Sequence, residues 1–177
     1  MTVLVTGGLG YIGSRLIREI PDHPAYSGEE IRILDNYRQP RFHSLWDLPS
    51  YADYDVVRGD IRDEDDRAEA LEGVDTVFHL AAITNAPETF DIPEKTWAVN
   101  HEAAVALFED ARGSGVDEFV NAVTCSVYGR TEEEITEGFD CEPESPYGEA
   151  KLAAEQEMFE KYNGEMGLTG LRLGTVY

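Results

Sequence analysis

The sequence predicts an α/β protein built on a parallel sheet wound on both faces by helices. Short β-rich runs alternate with longer helical patterns along the chain. A glycine-rich turn, Gly7–Gly13, joins the first such run to the first helical pattern. No internal repeat, low-complexity segment or linker interrupts the alternation, so residues 1–177 read as one domain.

Thr2–Thr6 (TVLVT) reads as a buried strand, and a helix follows from about Tyr11 to Ile20. Pro21–Glu30 is a Pro-, Gly- and Ser-containing loop before a second strand, Ile31–Asp35. Asn36–Tyr54, with Trp46 and two prolines, is irregular with room for a short helix. Asp55–Arg58 is a third strand, followed by a charged helix from about Asp63 to Leu71. Asp75–His79 is the fourth strand. A helix is expected from about Pro93 to Gly113, with Val99, Ala103, Ala106, Leu107 and Ala111 near helical spacing. Glu118–Val123 is the fifth strand and Thr131–Ser145 an acidic loop. Pro146 opens a helix that stops near Asn163-Gly164, and Thr169–Leu173 is the sixth strand.

The chain has 177 residues, enough for a real core, and 42% of them are apolar. No run approaches the roughly 18 consecutive apolar residues of a membrane span. The opening MTVLVTGGLG lacks a basic region and a long apolar region, so no secretory signal is expected. Cys125 and Cys141 alone cannot make a disulfide-stapled scaffold, and a cytoplasmic location fits them. Charge is the unusual figure: 14 Lys+Arg against 36 Asp+Glu give −22, which excludes nucleic-acid binding through a general basic surface. Only Lys95, Lys151 and Lys161 are lysines. A halophilic cytoplasm explains the bias, and so does an ordinary acidic protein.

Gly7, Gly10 and Gly13 have the spacing GxxGxxG between a strand and a helix. Glycines there let the backbone turn sharply and let a pyrophosphate approach the helix N-terminus, where free N–H groups favour an anion. Phosphate is then bound through backbone rather than lysines. Asp35 closes strand two, 22 residues after Gly13, where a carboxylate accepts the ribose hydroxyls of adenosine and repels a 2′-phosphate. NAD is therefore expected, while Arg38 and Arg41 keep NADP open. Asp60 and Ile61, after strand three, are placed to meet adenine.

Tyr147 and Lys151 form a YxxxK pair, one turn apart on a helix face. A free phenol is a poor base at neutral pH; a neighbouring ammonium and a positive nicotinamide ring both favour its ionised form. Thr124 and Ser126 follow strand five and offer hydroxyls to orient a substrate. Cys125 has no activating partner in its segment. His79 reads as a structural histidine at a strand end, and the four histidines show no metal-ligand spacing, so no metal is expected.

TGGLGYIG at Thr6–Gly13, LDN at Leu34–Asn36, GDIRD at Gly59–Asp63, HLAA at His79–Ala82, VN at Val99–Asn100, TCSVYG at Thr124–Gly129 and SPYGEAK at Ser145–Lys151 together resemble the extended short-chain dehydrogenase/reductase family. The resemblance is to its NAD-dependent epimerase/dehydratase branch and implies a Rossmann-type doubly wound sheet. It implies that Gly7, Gly10, Tyr11, Ile12 and Gly13 line the dinucleotide. Asp35, with Asn36 beside it, would hold the adenosine ribose, and Asp60 and Ile61 the adenine. Ala81, Ala82 and Thr84 would neighbour the nicotinamide half, and Asn100 would support the site. Tyr147 would be the base, Lys151 its partner and a ribose ligand, and Thr124 the Ser/Thr position. Cys125 and Ser126 replace the carboxylates that sugar dehydratases and decarboxylating relatives carry before VYG. What remains is a nucleotide-sugar epimerase, expected as a homodimer when intact. An NAD(P)H-dependent reductase and a non-catalytic dinucleotide-binding module are the alternatives. Because the family continues past its LRLGTVY-like strand, the chain is expected to be a truncated or fragment form without the C-terminal substrate region.

Overall fold

The computed structural model describes residues 1–39 and 41–174. Pro40 and the last three residues of the LRLGTVY stretch lie outside them. Six strands form one sheet: β1 (Thr2–Thr6), β2 (Glu30–Asp35), β3 (Asp53–Arg58), β4 (Thr76–His79), β5 (Glu118–Thr124) and β6 (Gly167–Leu173). Every pairing is parallel and the order is β3-β2-β1-β4-β5-β6. The chain winds outward from β1 to β3, crosses back, and winds outward again from β4 to β6. The two directions part at the C-terminal ends of β1 and β4, where open α/β sheets hold their ligands. The doubly wound fold expected from the sequence is the fold observed.

The helices are α1 (Tyr11–Glu19), α2 (Glu64–Leu71), α3 (Ala86–Thr89), α4 (Pro93–Trp97), α5 (Ala103–Gly113) and α6 (Pro146–Lys161). β1 is buried on both faces, which is why TVLVT is apolar without alternation. Val3, Val5, Ile31 and Ile33 pack with Ile17 and Ile20 at the end of α1. Leu4, Val77 and Phe119 face the other way, against Leu107 and Phe108 of α5 and Ala154 and Met158 of α6. Three helix starts, those of α2, α3 and α6, carry side-chain caps. Asp63 accepts from the N–H groups of Asp65 and Asp66 (3.0 and 3.2 Å), and Ser145 accepts from Gly148 N–H at 3.2 Å.

Three expectations change. The helix predicted over Pro93–Gly113 is two helices, α4 and α5, joined by a π-helical turn at Ala98–Glu102. The extra residue in that turn accompanies the inward side chain of Asn100, which is bonded to Ile83. α5 is buried over more than the predicted stripe: Ala104, Val105 and Phe108 are inside while Ala106 is half-buried. Strands β3 and β6 start two residues early, at Asp53 and Gly167, because backbone pairing with Glu30 and Glu118 does not require apolar side chains. Short α3, capped by Asn85, has too few residues to show a period.

The excess of 22 negative charges sits on a scaffold whose 14 Lys and Arg largely pair on the surface, for example Arg32 with Glu30 and Asp55. Salt that screens the remaining carboxylates should therefore stabilise the fold. Between about 0.1 M and 1 M KCl the melting temperature should rise, by about 2–4 °C for each roughly 1 kcal/mol of repulsion relieved. A thermal scan series with a flat or falling midpoint would contradict this account.

Candidate active site

One cleft of about 740 Å³ runs across the C-terminal ends of the strands, from Gly59–Arg62 past the glycine turn to Tyr147, Lys151 and Leu173. Its centre is the β1–α1 turn. Gly7 has φ +69°, and a Cβ there would lie 2.7 Å from the Ala81 backbone. A Cβ on Gly13 would sit 2.4 Å from the Gly7 carbonyl oxygen. Those two glycines are required by the chain's own packing. Gly10 differs, since a Cβ there would meet only the Gly7 carbonyl, at 3.2 Å. Its bare edge lines the cleft. Unlike α2 and α6, α1 has no side-chain cap and no acid in its first turn, so its leading N–H groups at Tyr11, Ile12 and Gly13 stay available to an anion. These residues fit a dinucleotide's pyrophosphate.

At the adenosine end, Asp35 accepts from Leu9 N–H (3.2 Å) through one oxygen and Tyr37 N–H (2.9 Å) through the other. The carboxylate thus fastens the glycine turn while lining the cleft. Asp60 is more fully engaged than expected. Arg62 gives it three donors and Asn36 Nδ2 a fourth at 3.0 Å, and these hold its carboxyl well below the usual range. With its oxygens so occupied, the Asp60 carboxylate is a brace of the pocket wall rather than a free acceptor for adenine. Asn36 belongs to the same brace. Ile61, buried beside it, presents an apolar wall.

Ala81, Ala82 and Thr84 line the far half of the cleft, as their position after β4 requires. Asn100 does not reach the lining. It is fully buried, accepting from Ile83 N–H (2.8 Å) and donating to Ile83 C=O (2.9 Å), so it shapes the loop that carries Thr84. Tyr11 is 78% exposed at the mouth, with the Arg41 guanidinium 3.8 Å above its ring. Arg38 pairs with Glu88 of α3 across the opening.

α6 begins at Pro146, which places Tyr147 and Lys151 one turn apart on the cleft side. Lys151 is 2% exposed, and its Nζ donates to the Ala122 carbonyl of β5 at 2.8 Å. Burial lowers its pKa to about 8. Thr124, 7% exposed, ends β5 and caps the turn Cys125–Tyr128, and its hydroxyl donates to that of Ser126 at 3.1 Å. Burial raises the Tyr147 pKa above the ordinary phenol value, and the neighbouring Thr124 hydroxyl opposes that rise. Of the two influences expected to favour the phenolate, the Lys151 ammonium does not offset the effect of burial on Tyr147. Burial thus favours the protonated phenol in the unliganded chain.

One feature escapes motif reading. Arg38, Arg41, Arg62, Lys95 and Lys151 line the cleft against only Asp35, Asp60 and Glu88, so the site is locally positive in a strongly acidic chain. Lys95 on α4 carries no motif; the scarcity of lysine was its one signal. Among the described residues no group of His, Cys, Asp and Glu is arranged to hold a metal ion, and no helix is long and apolar enough to cross a membrane.

Residues 3–177 match the NAD dependent epimerase/dehydratase family. A UDP-glucose 4-epimerase of Streptomyces lividans is 36% identical over 156 residues, 86% of this chain and 45% of that protein. A 3-beta-hydroxysteroid dehydrogenase of Mycolicibacterium neoaurum is 31% identical over 94% of this chain and 44% of its own length. The solved structure of a Stenotrophomonas maltophila UDP-glucose-4-epimerase with bound NAD and formylated UDP-arabinopyranose superposes with a TM-score of 0.87 at 27% identity, covering 97% of this chain and 52% of that one. The chain spans about half the length of the curated relatives it matches. The match along almost all of this sequence, on a sheet whose crest gathers the glycine turn, Asp35 and the Tyr–Lys pair, settles the relationship: the chain belongs to the NAD dependent epimerase/dehydratase family.

Proposed function

We propose that this chain is the NAD-binding part of an NAD-dependent nucleotide-sugar epimerase. The observation that carries the reading is that Thr124, Tyr147 and Lys151 line the same continuous cleft as the glycine turn and Asp35. A dinucleotide with its pyrophosphate at α1 and its adenosine ribose at Asp35 extends towards Ala81, Ala82 and Thr84, which brings its nicotinamide half to Tyr147. The net positive lining suits a dianionic pyrophosphate.

NAD, when bound, supplies the hydride acceptor, and in its reduced form the donor. Thr124 orients a sugar hydroxyl towards Tyr147, whose oxygen takes the hydroxyl proton as the hydride leaves the same carbon. The sugar is then a planar ketone. Once the sugar has turned its opposite face to the cofactor, Tyr147 would give the proton back to oxygen as that carbon is reduced. Lys151, anchored on Ala122, keeps a positive charge behind the phenolate. A carboxylate acid–base pair for water elimination is not available at Cys125 and Ser126, which favours epimerisation over dehydration. The hydroxysteroid dehydrogenase relative supports a second reading, a dehydrogenase or reductase that releases its oxidised or reduced product. NAD retained through purification and dialysis supports the epimerase; free exchange supports the second reading.

Calorimetry should show tighter binding of NAD than of NADP, because the Asp35 carboxylate repels a 2′-phosphate. Asp35→Asn keeps an acceptor for the loop and removes the charge, so the preference should shrink by about tenfold, or roughly 1.4 kcal/mol. NADP binding as tightly as NAD to the unaltered chain would overturn the assignment of Asp35.

In the full-length protein Tyr147→Phe should leave NAD affinity nearly unchanged while turnover of UDP-sugars falls by about 10²–10⁴-fold. Thr124→Val should be damaging to a smaller degree, since it removes orientation and leaves the base. Turnover within about twofold of wild type in the Phe variant would assign the proton transfer to another group.

A further inference from the structure

Two buried polar atoms lie unpaired beneath the proposed catalytic lysine: His79 Nε2 and Asn121 Oδ1. Thr6, His79 and Asn121 stand in register on β1, β4 and β5, so their side chains leave the sheet on one face. That face is the one whose preceding row is Leu4, Val77 and Phe119, under α5 and α6. His79 and Asn121 are 0% and 2% exposed. An apolar row would pack there without difficulty, so three polar side chains in succession need a reason.

The hydrogen-bond directions supply one. Ala81 N–H donates to Thr6 Oγ1 at 3.3 Å, and that hydroxyl, 2.8 Å from His79 Nδ1, can give its own proton to the ring. Burial keeps the imidazole neutral, lowering its pKa to about 3, and the nearby charge of Lys151 acts in the same sense. A neutral ring that accepts at Nδ1 carries its proton on Nε2. In that tautomer one end of the gap is a donor and the other, Asn121 Oδ1, an acceptor on the adjacent strand. The residue after Asn121 is Ala122, whose carbonyl holds Lys151 Nζ.

We propose that Thr6, His79 and Asn121 form one buried hydrogen-bond row, closed by a single bridging water between His79 Nε2 and Asn121 Oδ1, that positions Lys151 behind Tyr147. The proposal rests on the reading of Lys151 and Tyr147 given above. The water accepts from His79 Nε2–H, donates to Asn121 Oδ1 and accepts from one of the remaining N–H groups of Lys151, which gives it the three partners a buried water needs. His79 is then a positioning residue that never touches substrate. The charged and titratable groups facing Lys151 are His79 from β4 and Tyr147 from its own helix. One turn further along α6, Glu155 is taken up by Arg172 of β6.

Nuclear magnetic resonance of the unliganded chain tests the row without any turnover assay. Nitrogen-15 spectra of its four histidines should show His79 as the neutral Nε2–H tautomer throughout about pH 5–8. With lysine labelled at Cε, only three signals arise, and that of Lys151 should titrate near 8. Asn121→Leu should lower that midpoint by about half a pH unit or more by removing the acceptor that anchors the water. Asn121→Asp should raise it, with Lys95 and Lys161 unmoved in both. A proton on Nδ1 of His79, its titration within that range, or a Lys151 midpoint identical in all three proteins would overturn the proposal. The tautomer measurement needs no substitution, so it decides even where Asn121→Leu fails to fold. Since neither readout involves NAD or sugar, the row can fail while turnover in the full-length protein persists, and the reverse.

Discussion

The backbone of Gly7 passes so close to that of Ala81 that a single Cβ could not fit between them, and the arrangement of the cleft follows from that approach. It brings the end of β1 against the end of β4 where the sheet's two winding directions part. Thr6, just before the turn, can then reach both Ala81 N–H and the His79 ring. The chain leaving β4 presents its backbone to Gly7 there, at Leu80 and Ala81. The same turn is fastened from the other side, because Asp35 holds Leu9 N–H and the buried Ser44 hydroxyl donates to Leu9 C=O at 3.1 Å. A substitution at Gly7 would separate two strand ends, which is a larger disturbance than the loss of one phosphate contact.

Charge is distributed with the same economy. A chain carrying −22 repels anions at long range, yet its proposed cofactor is anionic. Part of the answer is the uncapped start of α1, whose N–H groups carry no counter-charge of their own. The rest is the concentration of five cations at the cleft, in a chain where lysine is rare. Asp60 and Glu88 are tied to Arg62 and Arg38, so these carboxylates are partly neutralised where they line the opening. Salt therefore acts in two directions on such a protein, relieving repulsion on the scaffold and screening the attraction at the cleft.

Much of the fold was legible because backbone requirements leave signs in composition. The positive φ of Gly7, the tight turn at Gly13, the apolar run of β1 and the carboxylate ending β2 each follow a local backbone pattern. The Tyr147–Lys151 pair was legible for the same reason, as i,i+4 spacing on a helix needs no knowledge of the rest. What escaped depends on which side chains find one another, a matter that spacing does not show. Asp60 looks like a free acceptor until Asn36 and Arg62 are seen to occupy it. Asn100 looks like a site residue until its side chain is found on Ile83, and the helical period around it hides a π turn. Lys95 had no pattern at all, since its position on the cleft depends on how α4 lies against the sheet.

Lys151 shows how the site is set against stability. Folding removes its ammonium from water and lowers its pKa from the ordinary 10.5 to about 8. A shift of that size disfavours the charged form by on the order of 3 kcal/mol relative to the unfolded chain. The sign follows from proton counting: between the two values the unfolded lysine binds more protons than the folded one, so this residue's contribution to stability improves as pH rises through that window. At neutral pH the cost is therefore present in full. A structural role in the core would be met more cheaply by an aliphatic residue, of which β4, β5 and α6 have many nearby. Retaining an ammonium there, on the Ala122 carbonyl and beside a buried histidine, is intelligible as the condition for holding positive charge behind Tyr147. The helix that carries it then needs the rigid packing of Ala150, Ala154 and Met158 to keep that charge in place.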